Sequence, residues 1–171
     1  ARDGGCWDAG IILMLERARL KPQAEPAGGI ACDGIFDYFA GEILDKTSQD
    51  VREFLLKTAF LPALDVSQAV RLTGIGQAGR ILSMLSRHNY FTERLPGSGY
   101  DYRYHPLFKD FLQSKAKTLW PAGKLAEIRR ESALLLEQDN QIEHSARLYN
   151  KAGDVQSLAR MVVHHARELL N

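Results

Sequence analysis

The stretch RLTGIGQAGRIL, residues 71–82, holds Gly74-x-Gly76-x-x-Gly79, the glycine spacing of a dinucleotide-binding loop. That chemistry needs a buried strand before the first glycine and a helix after it, whose N-terminus faces the pyrophosphate. It also needs an acidic residue about 20 positions on, at the end of a second strand, to hold the ribose. Upstream lies DVSQAVRLT, where Val66, Ala69, Val70 and Leu72 show no alternation and Asp65 and Ser67 are potential helix caps. The segment predicts a short helix. Glu93 falls at roughly the right distance downstream, but no strand–helix–strand pattern surrounds it. The expected structure is a helix–turn–helix, with Gly74 and Gly76 making the turn.

Other reactive side chains form no constellation. His164 and His165 are adjacent, so on a helix they point about 100° apart and cannot make an i, i+4 metal pair. His88 and His144 have no thiol or acidic companions at ligand spacing. Cys6 and Cys32 are too few for a disulfide framework and fit a reducing compartment, the cytoplasm. No Ser/His/Asp set, paired carboxylates or Gly-x-x-x-x-Gly-Lys-Ser/Thr phosphate loop occurs, so neither catalysis nor a metal site is expected. A cofactor is not expected in this stretch of chain either.

The 171 residues are 45% hydrophobic and 25% charged, which suits one core or two small domains of globular type. The 22 basic and 21 acidic residues leave a net charge of +1, too little for a general attraction to nucleic acid or an anionic membrane. The longest apolar run, Ile11 to Leu15, is too short to span a bilayer. The chain starts without Met and stops in a helical pattern, as a piece of a longer protein would.

The periodicity places the elements. CWDAGIILMLERARL reads as an amphipathic helix, and residues 21–29, KPQAEPAGG, as a linker. Asp33 is a potential cap for a helix striped by Ile35, Phe36, Phe39, Ile43 and Leu44. Ser48 caps the next, with Val51, Phe54, Leu55 and Thr58 inward and Pro62 at its end. The helix after the glycines, 77–88, buries Ala78, Ile81, Leu82 and Leu85. The period then changes. Tyr90–Leu95 and Tyr100–His105 flank Pro96-Gly97-Ser98-Gly99, a hairpin signal, with Tyr100, Tyr102 and Tyr104 packing on one strand face. Beyond Pro106 the pattern is helical, with Leu107, Phe108, Phe111 and Leu112 on one stripe and Leu125, Ile128, Leu134 and Leu135 on another. Val155, Leu158, Ala159 and Val162 are inside the last helix. The fold class is mainly α: a winged helix, meaning a helix–turn–helix with a β-hairpin wing, followed by antiparallel arm helices.

Four stretches carry a family resemblance in order along the chain. FDYFAGEILDKTSQDVREFLLKTAFL (36–61) resembles a signature of the large ATP-dependent LuxR-type transcription regulators, the group of the maltose-regulon activator, which are signal-transduction ATPases with numerous domains (STAND proteins). YRYHPLFKDFLQSKA (102–116) resembles their motif closing the winged helix. CWDAGIILML (6–15) is similar to the end of the nucleotide domain's helical part, although Cys6 stands where glycine is usual. Residues 129–170 resemble the arm helices leading to a tetratricopeptide-like sensor, and Glu127, Arg130 and Glu131 make the start of that motif more polar than usual. The resemblance implies three parts: 1–29, the end of the nucleotide domain and a linker; 30–119, the winged helix; and 120–171, the arm.

It further implies that this region packs on its own nucleotide-binding domain and helps hold the ADP-bound resting state. ATP or ADP would belong to the full-length protein, and DNA would be bound only through a separate C-terminal domain. By the same resemblance His105 aligns with a winged-helix histidine that reaches the ADP phosphate. The residue-level alternative is a histidine that caps the following helix or is hydrogen-bonded within the hairpin. A rival reading from another class is a winged-helix DNA-binding module with a helical interaction domain. Its base-reading face would be Gln77, Arg80, Met84 and Arg87. Against it stand the balanced charge and a wing, LPGSGYD, without Lys or Arg.

Overall fold

The computed structural model describes residues 31–95, 97 and 101–169; the expected helix at 6–15, the linker at 21–29, Tyr100 and most of the wing tip lie outside them. The chain divides into two compact units, Ala1–Glu42 and Ile43–Asn171. Helix α1, Ala31–Lys46, carries the described part of the first unit, and Asp33 lies within that helix rather than capping it.

Helix α2, Gln49–Thr58, starts where the Ser48 hydroxyl accepts the Val51 N–H at 3.4 Å. It buries Phe54, Leu55, Leu56 and Thr58. The helix closes before Pro62, with the Leu61 N–H turning back to the Thr58 carbonyl at 3.1 Å. Helix α3, Val66–Thr73, is capped by Asp65, which accepts the Ser67 N–H at 2.8 Å. It ends at Gly74, whose φ of 74° is left-handed and whose N–H reaches the Val70 carbonyl at 2.8 Å. Helix α4, Ala78–Arg87, buries Ala78, Ile81, Leu82 and Leu85, the stripe its spacing predicts.

Strands β1, Thr92–Arg94, and β2, Tyr102–Tyr104, form an antiparallel hairpin in the register Thr92↔Tyr104, Glu93↔Arg103, Arg94↔Tyr102. Leu64, between α2 and α3, joins it as an extra rung: its N–H donates to the Tyr102 carbonyl at 2.8 Å, and its carbonyl accepts the Tyr102 N–H at 3.0 Å. Tyr102 and Tyr104 both face inward. Helix α5, Pro106–Leu119, then crosses beneath the hairpin. Its Phe108 ring meets Phe91 at 5.4 Å and, edge-on, Tyr104 at 5.8 Å. The Tyr104 hydroxyl lies 2.8 Å from the hydroxyl of Thr58. Thr58 spends its own proton on the Phe54 carbonyl at 2.7 Å, so its oxygen accepts from Tyr104.

Helices α6, Ala122–Gln138, α7, Ile142–Ala152, and α8, Val155–Leu169, form the arm. The α6–α7 hairpin is close because its contact is made of small residues: Ser132, Ala133 and Ser145 are fully buried, and the Ser145 hydroxyl donates to the Ala133 carbonyl at 2.8 Å. Glu137 draws all three helices together, accepting from the Tyr149 hydroxyl at 2.9 Å and from Arg160 at 3.0 Å.

Several expected core residues face out. Leu107, Leu134, Val155 and Val162 are exposed, and so is Ala159. In the run Leu134–Leu136 only two of three successive leucines can share a face, and Ser132 with Ala133 fixes which. On α8 the inward side runs instead through Ser157, Leu158 and the fully buried Met161. Its rotation is set by polar contacts at either end of that side: Asp154 accepts the Ser157 N–H at 3.0 Å, and Arg160 pairs with Glu137.

Two outcomes follow from these contacts. Gly74→Ala introduces a side chain at φ 74° with open space around it, so only backbone strain of about 1 kcal/mol is added. A thermal melt should fall by roughly 2–4 °C, whereas Gly76→Ala, at an ordinary φ, should melt like the parent. Burial raises the pKa of Tyr104, and burial together with the Glu137 carboxylate pushes Tyr149 up to about 12. The unfolded chain therefore loses these protons first, near pH 10. Stability present below that pH should decline as pH rises through 10 toward 12. Denaturant titrations across that range should show the decline, and Tyr104→Phe should blunt it.

Candidate functional site

The glycine loop does not have the surroundings of a phosphate cradle. A helix, α3, precedes Gly74 where a strand is required, and Gly74 is simply the left-handed end of that helix. Gly79 lies inside α4, where a Cβ would stand 3.4 Å from a methyl of Val66. That is ordinary van der Waals contact, so the packing of α3 on α4 does not demand a glycine there. The dinucleotide reading of this spacing fails on geometry.

His105 occupies the junction between β2 and α5. Its N–H donates to the Phe91 carbonyl at 2.8 Å, and its carbonyl accepts the Lys109 N–H at 3.0 Å in the first turn of α5. Pro106 at the start of the helix fixes the direction of entry. The position is thus tied on both sides by backbone bonds, while the half-buried imidazole makes no capping bond to α5. Its hydrogen-bond partner Phe91 is itself unusual. It holds φ 47°, a left-handed conformation rare for a bulky residue, with its ring buried against Phe108.

On α4, Gln77, Arg80 and Arg87 are exposed and Met84 is half-buried, so the helix does bring the four to one side. The hairpin beside them is electrically balanced. Glu93 and Arg103, directly opposed in the register, form an ion pair at 2.5 Å. His88 stacks on Tyr90 at 5.5 Å, and no group of His, Cys, Asp or Glu among the described residues is arranged to hold a metal ion. No described helix is long and apolar enough to cross a membrane.

Polar contacts that sequence spacing does not reveal link the winged helix to the arm. Gln68 and Arg71 of α3 donate to Asp139 and Gln138 at the end of α6. Lys124 of α6 reaches Glu53 of α2 at 3.6 Å while lying over the Trp120 ring, and within the winged helix Gln113 of α5 donates to the Ala59 carbonyl at 2.8 Å. Lys57, 3.3 Å from Glu53 on the same helix, and then Lys124 hold the Glu53 carboxyl below its usual range. Between α2, the end of α5 and the start of α6 lies a small hollow of about 250 Å³, lined by Arg52, Glu53, Leu56, Leu119, Trp120 and Lys124.

Residues 40–124 match the family model of the MalT winged helix domain. The chain is also similar to the HTH-type transcriptional regulator MalT of Klebsiella pneumoniae (strain 342), with 31% identity across 96% of this chain. It spans 19% of that relative's length. The match covers both the helix–turn–helix with its hairpin and the helices that follow. Residues 40–124 are thus a winged helix of the MalT type, in a chain that is similar along nearly all of its length to one region of that transcriptional regulator.

Proposed function

We propose that this chain is the regulatory middle of a STAND-type, ATP-dependent LuxR-family regulator working in the cytoplasm. In this reading the winged helix packs on the protein's own nucleotide-binding domain and stabilises the ADP-bound resting state. The arm relays signal from a tetratricopeptide-like sensor, and DNA is bound through a separate C-terminal domain. ATP and ADP are ligands of the full-length protein, and the middle region performs no catalysis of its own.

The observation that carries the reading is the placement of His105. Backbone bonds on both sides fix it at the N-terminus of the 14-residue helix α5, and its imidazole is not used as that helix's cap. An imidazole there can donate to a phosphate oxygen, more strongly when protonated, and the helix dipole favours the same anion. Such a bond shifts a switch only if it exists in one state, because a contact kept in both states changes nothing.

A hydrogen bond to a charged group contributes about 1.5–3 kcal/mol, roughly a tenfold to hundredfold change in an equilibrium. In the full-length protein, His105→Ala should loosen ADP by that factor and raise activity without inducer. The melt of the present chain should move by no more than about 1 °C, far less than the loss of a cap would cause. ADP affinity unchanged together with a lowered melt would make His105 a structural residue.

The exposed Gln77, Arg80 and Arg87 of α4 are what a DNA-binding module would present. The paired Glu93 and Arg103, and a wing without Lys or Arg, argue against duplex binding. Titration of labelled duplex DNA at physiological salt should give no micromolar complex. A complex lost in the Arg80→Ala, Arg87→Ala variant would reverse that ranking.

A further inference from the structure

The last turn of α6 is charged against its own dipole. It carries no basic residue, and Glu137 and Asp139 place two carboxylates at the carbonyl end, where negative charge is disfavoured. Each carboxylate takes its donors from other helices. Glu137 accepts from Tyr149 of α7 at 2.9 Å and from Arg160 of α8 at 3.0 Å. Asp139 accepts from Nε2 of Gln68 on α3, and the neighbouring Gln138 accepts from Arg71, one turn further along α3. One turn of α6 thus holds the winged helix through Asp139 and the last arm helix through Glu137.

Both links need that turn wound. The Asp139 N–H reaches the Leu135 carbonyl at 3.2 Å, the Asn140 N–H that of Glu137 at 3.0 Å, and the Gln141 N–H that of Leu136 at 2.8 Å, with Asn140 at φ 58°. These bonds close the helix on a left-handed residue and fix where Asp139 stands. Gln68 is only 2% exposed, and its Oε1 has no partner among the described residues. Were Asp139 to withdraw, the buried amide would lose the hydrogen bond from its nitrogen as well, which is costly for a buried polar group. In the other direction, Glu137 without Arg160 keeps a poorly compensated charge at the helix end, which favours unwinding.

We propose that the last turn of α6 couples α8 to the winged helix: Glu137 and Asp139 hold Arg160 and Gln68 to one wound conformation, so that loosening either helix unwinds the turn and loosens the other. The two states are the turn wound and the turn frayed, and α3 and α8 bias the same equilibrium. The coupling gives the arm's relay a path, yet it is a property of these helices alone. Its failure leaves the nucleotide reading standing, and the failure of that reading leaves the coupling standing.

The test is backbone hydrogen exchange of the 171-residue chain, followed helix by helix. Arg160→Gln replaces an exposed side chain and should leave the fold intact. It should speed exchange in α3 about fivefold relative to α5, whose buried Phe108 reports global opening. Gln68→Met, a change of similar volume, should likewise speed exchange in α8, because coupling is reciprocal. Arg147→Gln loses an ion pair with Glu143 that lies within α7, and should change neither α3 nor α8. Faster exchange confined to the mutated helix would overturn the proposal. So would an equal rise in α5, since global stability alone would then have changed, or an effect of Arg147→Gln on α3 as large as that of Arg160→Gln.

Discussion

A hairpin of two three-residue strands has too little surface to be stable in water, and this one exists because it closes over Phe108. That ring is fully buried and gathers Phe91 from the entry to β1, Tyr104 from β2 and Phe111 from its own helix. The hydroxyl of Tyr104 would be costly to bury alone, and the Thr58 hydroxyl of α2 receives its proton. Hairpin, α2 and α5 are therefore mutually dependent. Leu64 extends the dependence by pairing with Tyr102 and fixing where α3 begins. Even the position of His105 follows, since its N–H is bonded to the carbonyl of Phe91, whose left-handed backbone is held in place by the same packing.

The connection between winged helix and arm is of a different kind. It rests on side chains reaching across: Gln68 and Arg71 to the end of α6, Lys124 to Glu53, Arg129 over Phe60. Within the arm the contact is tighter, because Ser132, Ala133 and Ser145 let the backbones of α6 and α7 approach. A polar junction between two well-packed bodies is easier to rearrange than either core, since shifting it exchanges hydrogen bonds and ion pairs with water rather than opening cavities.

Among the residues with chemical potential, the glycine spacing was the most conspicuous and carried the least. Gly74 answers a local demand, a helix end with φ 74°, and Gly79 lies within α4 in ordinary contact distance of Val66. A phosphate loop with the same spacing would need a strand before it. The four residues of α4 do share a side, yet the hairpin that would flank DNA carries its charge as an internal pair.

The sequence by itself determined the kinds of element and their order. Ser48 and Asp65 mark helix starts through side-chain oxygens that accept backbone N–H groups, and Gly74 and Gly153 mark helix ends through left-handed backbone. The stripe Ala78, Ile81, Leu82 and Leu85 set the inward face of α4, because no other face of that helix is apolar. Where a helix is apolar on more than one side, periodicity had no means to choose. On α8 the expected Val155 and Val162 face outward and Met161 inward, a rotation decided by Arg160 meeting Glu137 and by the Asp154 cap. Leu107 and Leu134 were likewise displaced by neighbours with stronger claims on the core. The bond between Thr58 and Tyr104, 46 positions apart, left no local signature, and neither did the reach of Arg129 to the carbonyl of Lys151. Such contacts join residues distant in sequence, so only the packing of the helices against one another, a property of the whole chain, brings them within reach.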